Sequence, residues 1–277
     1  MTTATLAAPA ATASPLVDAE AVAGFHRDGF LSLPALTDAA EAVRLRALYD
    51  DLFARRVGRE SGDQFDLFGD DGDPAKPNVP QILGPERFAP ELLETEAWRN
   101  ARALLTALLG AEPAGMGSHM ILKPAASPMA TPWHQDEAYW DPGMHHSGIS
   151  IWIPLQDVDR TSGCMHFIPG SHRRGIVRHR SGNNDPRVHG LEIDDESQDL
   201  TSQVACPLPA GGCTAHGPRT LHYTSPNQAA VPRRAWIITG GLQTRPRAEI
   251  RRFPWLEAKK TLRDERAKAF RERQAGA

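Results

Sequence analysis

Two residues separated by a single position, His134 and Asp136, are the clearest indication of chemistry in this chain. In an extended strand alternate side chains point the same way, so both side chains can reach one metal ion. A third ligand must come from elsewhere, and His222 opens a second segment of matching chemistry. Two neutral imidazoles and one carboxylate leave the opposite face of the metal free, which suits non-haem Fe(II) enzymes that bind a co-substrate and dioxygen.

The second segment also supplies a guanidinium, because Arg233 follows His222 by eleven positions, with small hydroxyl residues between them. A guanidinium can bind a carboxylate with two parallel hydrogen bonds, which a lysine cannot reproduce. A His-x-Asp pair alone is weak, since about one such pair is expected by chance in a chain of this composition. The joint pattern favours a metal site over a surface ion pair, and the adjacent Arg234 is predicted to pair with a surface acid.

The two segments resemble the phytanoyl-CoA dioxygenase family of Fe(II)/2-oxoglutarate-dependent oxygenases, which carries His-x-Asp, a distal His and an Arg eleven residues beyond it. Further similarity lies in Lys123-Pro124, in the run 149–155 and in the run 163–172, and it covers roughly residues 20–245. The resemblance implies a mainly β fold with flanking α-helices, built on a double-stranded β-helix, the jelly-roll core of cupin-like proteins. It also implies Fe(II) as cofactor and 2-oxoglutarate and O2 as co-substrates.

The resemblance implies roles for individual residues as well. The implied iron ligands are His134, Asp136 and His222. Arg233 is the implied partner of the remote carboxylate of 2-oxoglutarate, with Thr224 where the family usually has a serine, and Trp152 lines that pocket. Three further co-substrate contacts rest on looser similarity: Lys123, Gln81 and His119. Val231 stands where close relatives have a hydroxyl, which removes one hydrogen bond to the co-substrate.

Several of these residues have a purely structural alternative. Trp152 could simply belong to the core, and Lys123 could be solvated at a strand end. The apolar residues that alternate with Trp152 should face the other way, namely Ile149, Ile151 and Ile153. The remaining histidines are interpreted as packing residues or hydrogen-bond donors near the ligands in the case of His166, His172 and His216, and as loop residues in the case of His145, His146, His179 and His189.

With 277 residues and a net charge of −3, the chain can form one large domain around a single core. Residues 16–277 are predicted to be that domain, preceded by a flexible tail at 1–15 that lacks the features of a signal peptide. Nucleic-acid and membrane partners are not expected, because there is neither a long basic run nor a run of roughly 20 apolar residues. Three cysteines without a Cys-x-x-Cys pair favour a reducing cytoplasm.

The elements that must position the site are predicted from hydrophobic periodicity and capping residues. They are helices at 18–28, 37–56 and 90–109, a strand at 30–33 and a solvated helix after Ile250. From Gly117 onward, short strands broken by Pro and Gly indicate an all-β core with helices packed outside. Two long polar segments, 57–80 and 173–203, are predicted to be lid loops that select the substrate, and the basic residues in the second are interpreted as solvated, not as a phosphate site.

The resemblance implies hydroxylation of an unactivated C–H bond in a small-molecule substrate, with 2-oxoglutarate converted to succinate and CO2. Family members that halogenate have a small residue at the position of Asp136, so its carboxylate favours hydroxylation or a related desaturation or cyclisation. The family acts on acyl thioesters, amino acids and secondary metabolites, and no motif here selects among them or indicates an oligomeric state. Two alternatives stay open: a Zn-dependent hydrolase, whose usual His-Glu-x-x-His motif is absent, and a non-catalytic cupin-like sensor of a small acid.

Overall fold

The computed structural model describes residues 16–73 and 75–276, so the tail predicted at 1–15 lies outside the described residues. Its α-helices are α1 (Ala19–Asp28), α2 (Ala39–Ala54), α3 (Glu96–Leu109), α4 (Pro254–Glu257) and α5 (Leu262–Ala275). Its strands are β1 (Phe30–Leu33), β2 (Gln64–Asp66), β3 (Pro80–Leu83), β4 (Gly115–Lys123), β5 (Thr131–His134), β6 (Met144–His145), β7 (Ile149–Pro154), β8 (Met165–Phe167), β9 (His179–Ser181), β10 (Leu191–Ile193), β11 (Val204–Cys206), β12 (Cys213–His216), β13 (His222–Thr224), β14 (Arg233–Gly241) and β15 (Arg245–Pro246). Short 3-10 helices occupy Pro85–Arg87, Pro90–Glu94, Asp136–Tyr139, Ser171–Arg174 and Gly182–Asn184.

Capping residues set the ends of the first two helices as predicted. Asp18 caps α1 by accepting from the backbone N–H of Ala21, and Gly29 ends the helix in the left-handed region at φ 86°. Asp38 caps α2 in the same way through the N–H of Glu41. Both predicted helices are confirmed, and so is the predicted strand between them, β1.

The single helix predicted at 90–109 is wrong in its first part. Pro90–Glu94 forms a 3-10 helix, and Thr95 then adopts an extended conformation in which its side chain accepts from the N–H of Trp98. A hydroxyl residue in this position starts a new helix, because it satisfies an N–H that has no partner within the first turn. The helix α3 therefore begins only after Thr95, and Gly110 ends it.

Two antiparallel sheets form the core. The larger sheet has the order β1-β12-β7-β14-β4-β3-β2, and the smaller has the order β11-β8-β13-β5. Side chains of both sheets pack in one apolar cluster, with Trp152, Ala235 and Ile237 from the larger sheet and Met165, Phe167 and Cys206 from the smaller. The sheets thus face each other as the two layers of a jelly roll, which confirms the predicted fold class.

The outer face of the larger sheet carries the helices. The three isoleucines of β7 lie in the apolar cluster beneath them, together with Trp236 and Ile238 of β14. Helix residues that close this cluster include Leu45, Leu52, Leu104 and Leu105. Because a strand alternates its sides, β7 presents Trp152 to the interior between the sheets. The predicted β core with helices outside it is confirmed.

The two segments predicted to be lid loops contain more structure than expected. Segment 57–80 includes β2 and buries Leu67 and Phe68. Segment 173–203 includes the antiparallel pair β9–β10. The segments touch each other, since the N–H of Gly190 donates to the carbonyl of Leu67 at 2.7 Å. Their interpretation as loops throughout is wrong at these strands, because a few apolar residues within a polar stretch suffice to dock it. Their role in covering the substrate stays a prediction.

The helix predicted after Ile250 is confirmed as α5, but its inner face is not solvated. Arg266 pairs with Asp71 of segment 57–80, and Arg263 donates to the carbonyl of Gly62 at 3.0 Å. Both arginine side chains keep only about a quarter of their exposure, at 24% and 23%. Charged residues at helical spacing can cover a partner surface with their stems and still ion-pair, which sequence alternation does not reveal.

A buried carboxylate joins α2 to the start of α3. The two oxygens of Glu41 accept from the backbone N–H groups of Glu96 and Ala97, each at 2.8 Å. The hydroxyl of Thr37 also donates to Glu41. These are N–H groups that a helix leaves without partners in its first turn. Burial alone would raise the pKa of Glu41, but the hydrogen bonds outweigh it and lower the pKa.

Glu41→Gln is expected to lower the free energy of unfolding by about 1–3 kcal/mol, because an amide can accept from only one of the two N–H groups and leaves the other buried without a partner. Urea denaturation measures the loss. The difference from the unmodified protein should shrink as pH falls through the lowered pKa of Glu41, since protonation removes the same interaction. Glu91→Gln, at an exposed position, is the control. Equal losses in the two variants would contradict the role of Glu41.

Candidate metal centre

The three predicted metal ligands meet at one end of the space between the sheets. His134 ends β5, His222 begins β13, and the two face each other as a cross-strand pair with ring centroids 4.1 Å apart. Asp136 lies in the 3-10 helix that follows β5. One possible ligand atom from each of the three residues lies within 4.8 Å of the other two. They line a cavity of about 450 Å³.

Alternation along the chain brings His134 and Asp136 to the same side even though Asp136 is not in a strand. The residue between them, Gln135, is extended at φ −126° and ψ 133°. Its fully buried side chain points away and donates to the carbonyls of Gly175 and Arg219, each at 2.7 Å. The His-x-Asp spacing therefore works as predicted, and the residue in the middle fixes the backbone that carries both groups.

Backbone carbonyls orient both imidazoles. Nδ1 of His134 lies 2.7 Å from the carbonyl of Pro132, and Nδ1 of His222 lies 2.9 Å from the carbonyl of Thr220. A carbonyl can only accept, so each Nδ1 carries the proton and each Nε2 presents a lone pair. The Nε2 atoms lie 3.9 and 3.4 Å from Oδ1 of Asp136. Burial lowers the pKa of His134 to about 3, which favours the neutral form that binds metals.

The carboxylate of Asp136 is held through its other oxygen. Oδ2 accepts from the hydroxyl of Ser150 at 2.6 Å and lies 3.2 Å from Nε2 of His216, which leaves Oδ1 facing the two imidazoles. Burial alone would raise the pKa of Asp136, but His222 and His216 lower it well below its ordinary value. Such hydrogen bonds fix the orientation of metal-ligating carboxylates. The contact agrees with the interpretation of His216 as a donor beside the ligands.

A buried cation lies in the same cavity. Arg233 is 2% exposed, and its guanidinium lies 5.5 Å from the ring centroid of Trp152. Among the described residues, the guanidinium makes one hydrogen bond, and it is long: Nη1 donates to the carbonyl of Ile121 at 3.4 Å. Within the described residues, Nε of Arg233 and the hydroxyl of Thr224 are buried without a hydrogen-bond partner. Burial lowers the pKa of Arg233 to about 10. Because buried polar groups are normally satisfied, these atoms fit an anionic ligand.

The weaker predictions divide at this cavity. Gln81 and His119 line it, and burial lowers the pKa of His119 to about 4. Lys123 is not among the lining residues and is not solvated either. Its ammonium donates to the carbonyls of Thr224 and Ser225 at 3.0 and 2.7 Å. The interpretation of Lys123 as solvated is therefore wrong, because inward alternation on β4 directs it across to the backbone at the end of β13. Its contact with the co-substrate stays a prediction.

Several lining residues gave no signal in the sequence. His189, interpreted as a loop residue, lines the cavity and stacks on Tyr139 with centroids 5.9 Å apart. His179, also interpreted as a loop residue, is buried and accepts from the backbone N–H of Gln135 at 3.2 Å. Trp140 lines the cavity as well. The spacing of His179 and His189 is uninformative, because the docking of segment 173–203 brings them to the site, whereas Trp140 directly follows the 3-10 helix that carries Asp136.

The adjacent Arg234 pairs with Asp50, as predicted for a surface acid, at 2.6 Å. Alternation along β14 explains why Arg233 lines the cavity while Arg234 reaches the surface, since neighbouring residues in a strand point to opposite faces of the sheet.

Within the part of the chain that the structure describes, no helix is both long enough and apolar enough to cross a membrane.

Comparison with known proteins agrees with this geometry. Residues 25–235 match the family model described as phytanoyl-CoA dioxygenase. The L-proline trans-4-hydroxylase of Streptomyces griseoviridis is 28% identical over 88% of this chain and 92% of its own length. A probable alpha-ketoglutarate-dependent hypophosphite dioxygenase of Stutzerimonas stutzeri is 31% identical, but the match covers only 42% of this chain and 40% of that protein.

Among solved structures, EvdO2 from Micromonospora carbonacea var. aurantiaca is similar over nearly its whole length. It is 38% identical, with a TM-score of 0.77, over 86% of this chain and 96% of that one. A second structure of EvdO2, complexed with 2-oxoglutarate, superposes with a TM-score of 0.75 at 35% identity.

Proposed function

Because the chain belongs to the phytanoyl-CoA dioxygenase family of Fe(II)/2-oxoglutarate-dependent oxygenases, we propose that it hydroxylates an unactivated C–H bond of a small-molecule substrate. The observation that carries the proposal is a single cavity with a His-Asp-His group and, in the same lining, the buried Arg233 without a carboxylate partner among the described residues. A bound metal would explain the His-Asp-His group, and an acidic co-substrate would explain the unpaired buried Arg233. Neither one alone explains both features.

In this proposal Nε2 of His134, Oδ1 of Asp136 and Nε2 of His222 hold the iron, as their orientation supports. Arg233 and Thr224 bind the remote carboxylate of 2-oxoglutarate, with the fork of the guanidinium matching its two oxygens. When bound, the iron and 2-oxoglutarate supply the oxidising chemistry, in which O2 is consumed and 2-oxoglutarate becomes succinate and CO2.

The protein itself contributes positioning and shielding. Trp152 covers the guanidinium, so water is kept from the ion pair that Arg233 would make. Tyr139, Trp140 and Leu67 supply apolar surface where a substrate can lie against the metal side of the cavity. The carboxylate of Asp136 occupies the third ligand position, which favours hydroxylation over halogenation. No side-chain general base is needed, since the bound iron and 2-oxoglutarate would supply the oxidising chemistry.

The test is oxygen-dependent release of succinate from 2-oxoglutarate, measured over a panel of amino acids, acyl thioesters and neutral secondary metabolites. The product of any substrate that accelerates release is then analysed for a gain of one oxygen. A mass loss of two hydrogens would replace hydroxylation by desaturation or cyclisation. Release of succinate without any substrate in the panel leaves the oxygenase chemistry intact and widens the panel.

The same assay separates the two alternatives. A Zn-dependent hydrolase would convert substrate without oxygen and would be indifferent to 2-oxoglutarate. A non-catalytic sensor would bind 2-oxoglutarate without turnover. The family match and the 35% identical structure with bound 2-oxoglutarate both favour the oxygenase over the hydrolase.

The contact between segments 57–80 and 173–203 provides a test of their proposed role as a substrate cover. Each contributes a residue to the cavity, Leu67 and His189 respectively. A Cβ on Gly190 would lie 2.5 Å from the ring of Phe68 and 2.7 Å from the carbonyl of Leu67, so the two segments must separate.

We expect Gly190→Ala to speed proteolytic cleavage within both segments and to raise the share of 2-oxoglutarate consumed without product, because an open cover admits water. Limited proteolysis and the succinate-to-product ratio measure these effects. Gly72→Ala is the matched control, since its Cβ would meet only the Asp70 side chain. Unchanged cleavage in Gly190→Ala would exclude a role for this contact in closing the site.

A further inference from the structure

A second cavity, which shares no lining residue with the one that holds the metal ligands, is rich in arginine. It encloses about 470 Å³, and five arginines line it: Arg178, Arg219, Arg247, Arg251 and Arg252. No carboxylate lines it within the described residues. The aromatic part of its wall is Phe253 and Trp255, whose rings stack with centroids 4.8 Å apart.

One buried carboxylate behind the wall serves two of these arginines. Glu137 is fully buried and accepts from Arg219 and from Arg251, each at 2.7 Å. Glu137 follows the metal ligand Asp136 in the 3-10 helix Asp136–Tyr139. This short helix is therefore the partition between the cavities, with Asp136 and Tyr139 lining the first and Glu137 bound to the arginines of the second.

The other three arginines are incompletely neutralised. Arg178 pairs with Asp194, which is shared with Arg180, and Arg252 pairs with the exposed Glu257. Arg247 pairs with no carboxylate in the described part of the chain; its Nη1 lies 3.1 Å from Nδ1 of His145. Five guanidinium charges are thus matched by only three carboxylates, those of Glu137, Asp194 and Glu257. Asp194 also pairs with Arg180, which lies outside the cavity. The cavity has a net positive charge.

Two guanidinium nitrogens of the wall also lack partners. Nε of Arg247 and Nη2 of Arg251 are buried without a hydrogen-bond partner among the described residues. Buried cationic N–H groups are costly unless they are paired, and the planar fork of arginine matches phosphate oxygens. We propose that this cavity binds a phosphorylated small molecule, with Arg247 and Arg252 on the phosphate and the aromatic pair against a planar or apolar part.

The basic residues of segment 173–203 were expected to be solvated, and the structure divides them. Arg178 contributes to the cavity, whereas Arg180 pairs with Glu192 outside it. The remaining arginines come from outside this segment, from position 219 between β12 and β13 and from 247–252 after β15. Charge collected from three distant segments into one concave surface with an aromatic wall is typical of a ligand site, although the side chains of Arg178 and Arg252 are 77% and 80% exposed at its mouth.

Calorimetric titration of the metal-free full-length protein tests the proposal, with inorganic phosphate and adenosine 5′-diphosphate as probes at constant ionic strength. Metal-free protein is used so that phosphate does not bind iron. We expect saturable binding of both probes, tighter for the diphosphate because its ring can use the aromatic wall. Arg247→Gln should weaken both by about tenfold or more, as expected for the loss of a charge-assisted hydrogen bond.

The controls separate this cavity from the first. Arg245→Gln, at an exposed position two residues before Arg247, should leave both affinities unchanged. Arg233→Gln should do the same; a loss of binding there but not in Arg247→Gln places the anion in the first cavity and overturns the proposal. Arg219 and Arg251 are left intact, because their removal would strand the buried Glu137. Should Arg247→Gln fail to fold, the exposed Arg252→Gln makes the same test.

Two further outcomes would also overturn the proposal. The first is the absence of saturable binding of either probe at millimolar concentration. The second is equal affinity for the two probes, which would assign the cavity to a free oxoanion instead of a phosphorylated molecule. Neither result bears on the proposed hydroxylation, since the titration requires no iron, no 2-oxoglutarate and no turnover.

Discussion

His222→Ala is expected to abolish iron binding and to lower the rate of succinate release by more than about a hundredfold. The loss of a residue that only hydrogen-bonds to a ligand would have a smaller effect. The imidazole of His222 presents Nε2 to Oδ1 of Asp136, and its Nδ1 is fixed by the carbonyl of Thr220. The pairing of β13 with β5 sets His222 against His134 and so fixes its place in the group.

Iron content after anaerobic loading and succinate release together measure this prediction. Thermal unfolding with and without added Fe(II) provides a readout independent of turnover, since a ligand that binds only the folded state stabilises it. That stabilisation should disappear in His222→Ala. His166→Ala is a matched control: His166 lies on the strand paired with β13, bonds Gln203 and does not line the cavity. Retention of both iron and full activity by His222→Ala would exclude it as a ligand.

The sequence predicted best what local rules govern. Asp18 and Gly29 bound α1 because a cap and a left-handed glycine act within one turn, and Ile151 and Trp152 divide between two faces because strands alternate. The misjudged helix start at Thr95 is local too, but Leu92 and Leu93 before it continue the helical spacing of apolar residues across Pro90. The 3-10 helix and α3 therefore read as one continuous helix in the sequence, because both carry apolar residues at helical spacing.

What the sequence could not predict depends on pairing between distant strands. Ser150 and His216 hold Asp136 because β12 pairs with β7 in a register that sets Ser150 against His216. His189 reaches the cavity because segment 173–203 docks through Gly190 on segment 57–80. Neither fact has a spacing rule. The family resemblance supplied the ligands and the arginine, and His216 was already interpreted as a packing residue or a donor near the ligands. The role of Ser150 and the contact of His216 with Oδ2 of Asp136 emerged only from the fold.

Lys123 shows how position and chemistry can mislead together. Its place before Pro124, in a pair of residues shared with the family, suggested a second cation for the co-substrate, and in the structure Lys123 does pair with Arg233 across β4 and β14. The ammonium instead binds two backbone carbonyls of the smaller sheet, and burial lowers its pKa well below the ordinary value. Because Lys123 does not line the first cavity, Arg233 is the one Lys or Arg side chain that lines it within the described residues, so its removal should have an undivided effect.

Arg233→Gln is therefore expected to raise the 2-oxoglutarate concentration needed for half-maximal turnover by at least about thirtyfold, since loss of a buried charge-assisted pair costs about 2–5 kcal/mol. Arg233→Lys should recover only part of this, because an ammonium keeps the charge but not the fork that matches a carboxylate. Iron binding should not change, since the guanidinium makes no contact with the His-Asp-His group in the described structure. Succinate release as a function of 2-oxoglutarate concentration measures the effect.

The same role of Arg233 should also show in protein stability, where its replacement should do no harm in the absence of 2-oxoglutarate. Without co-substrate, Arg233 is a buried cation whose Nε has no hydrogen-bond partner among the described residues, so Arg233→Gln should leave the unliganded protein as stable as before or more stable. The unmodified protein should gain stability on adding 2-oxoglutarate with a redox-inert divalent metal, and the variant should gain far less. Arg234→Gln, whose guanidinium pairs with the exposed Asp50, should keep the full gain. An unchanged 2-oxoglutarate requirement in Arg233→Gln would contradict the assignment, and a raised requirement in Arg234→Gln would move the carboxylate partner to the neighbouring residue.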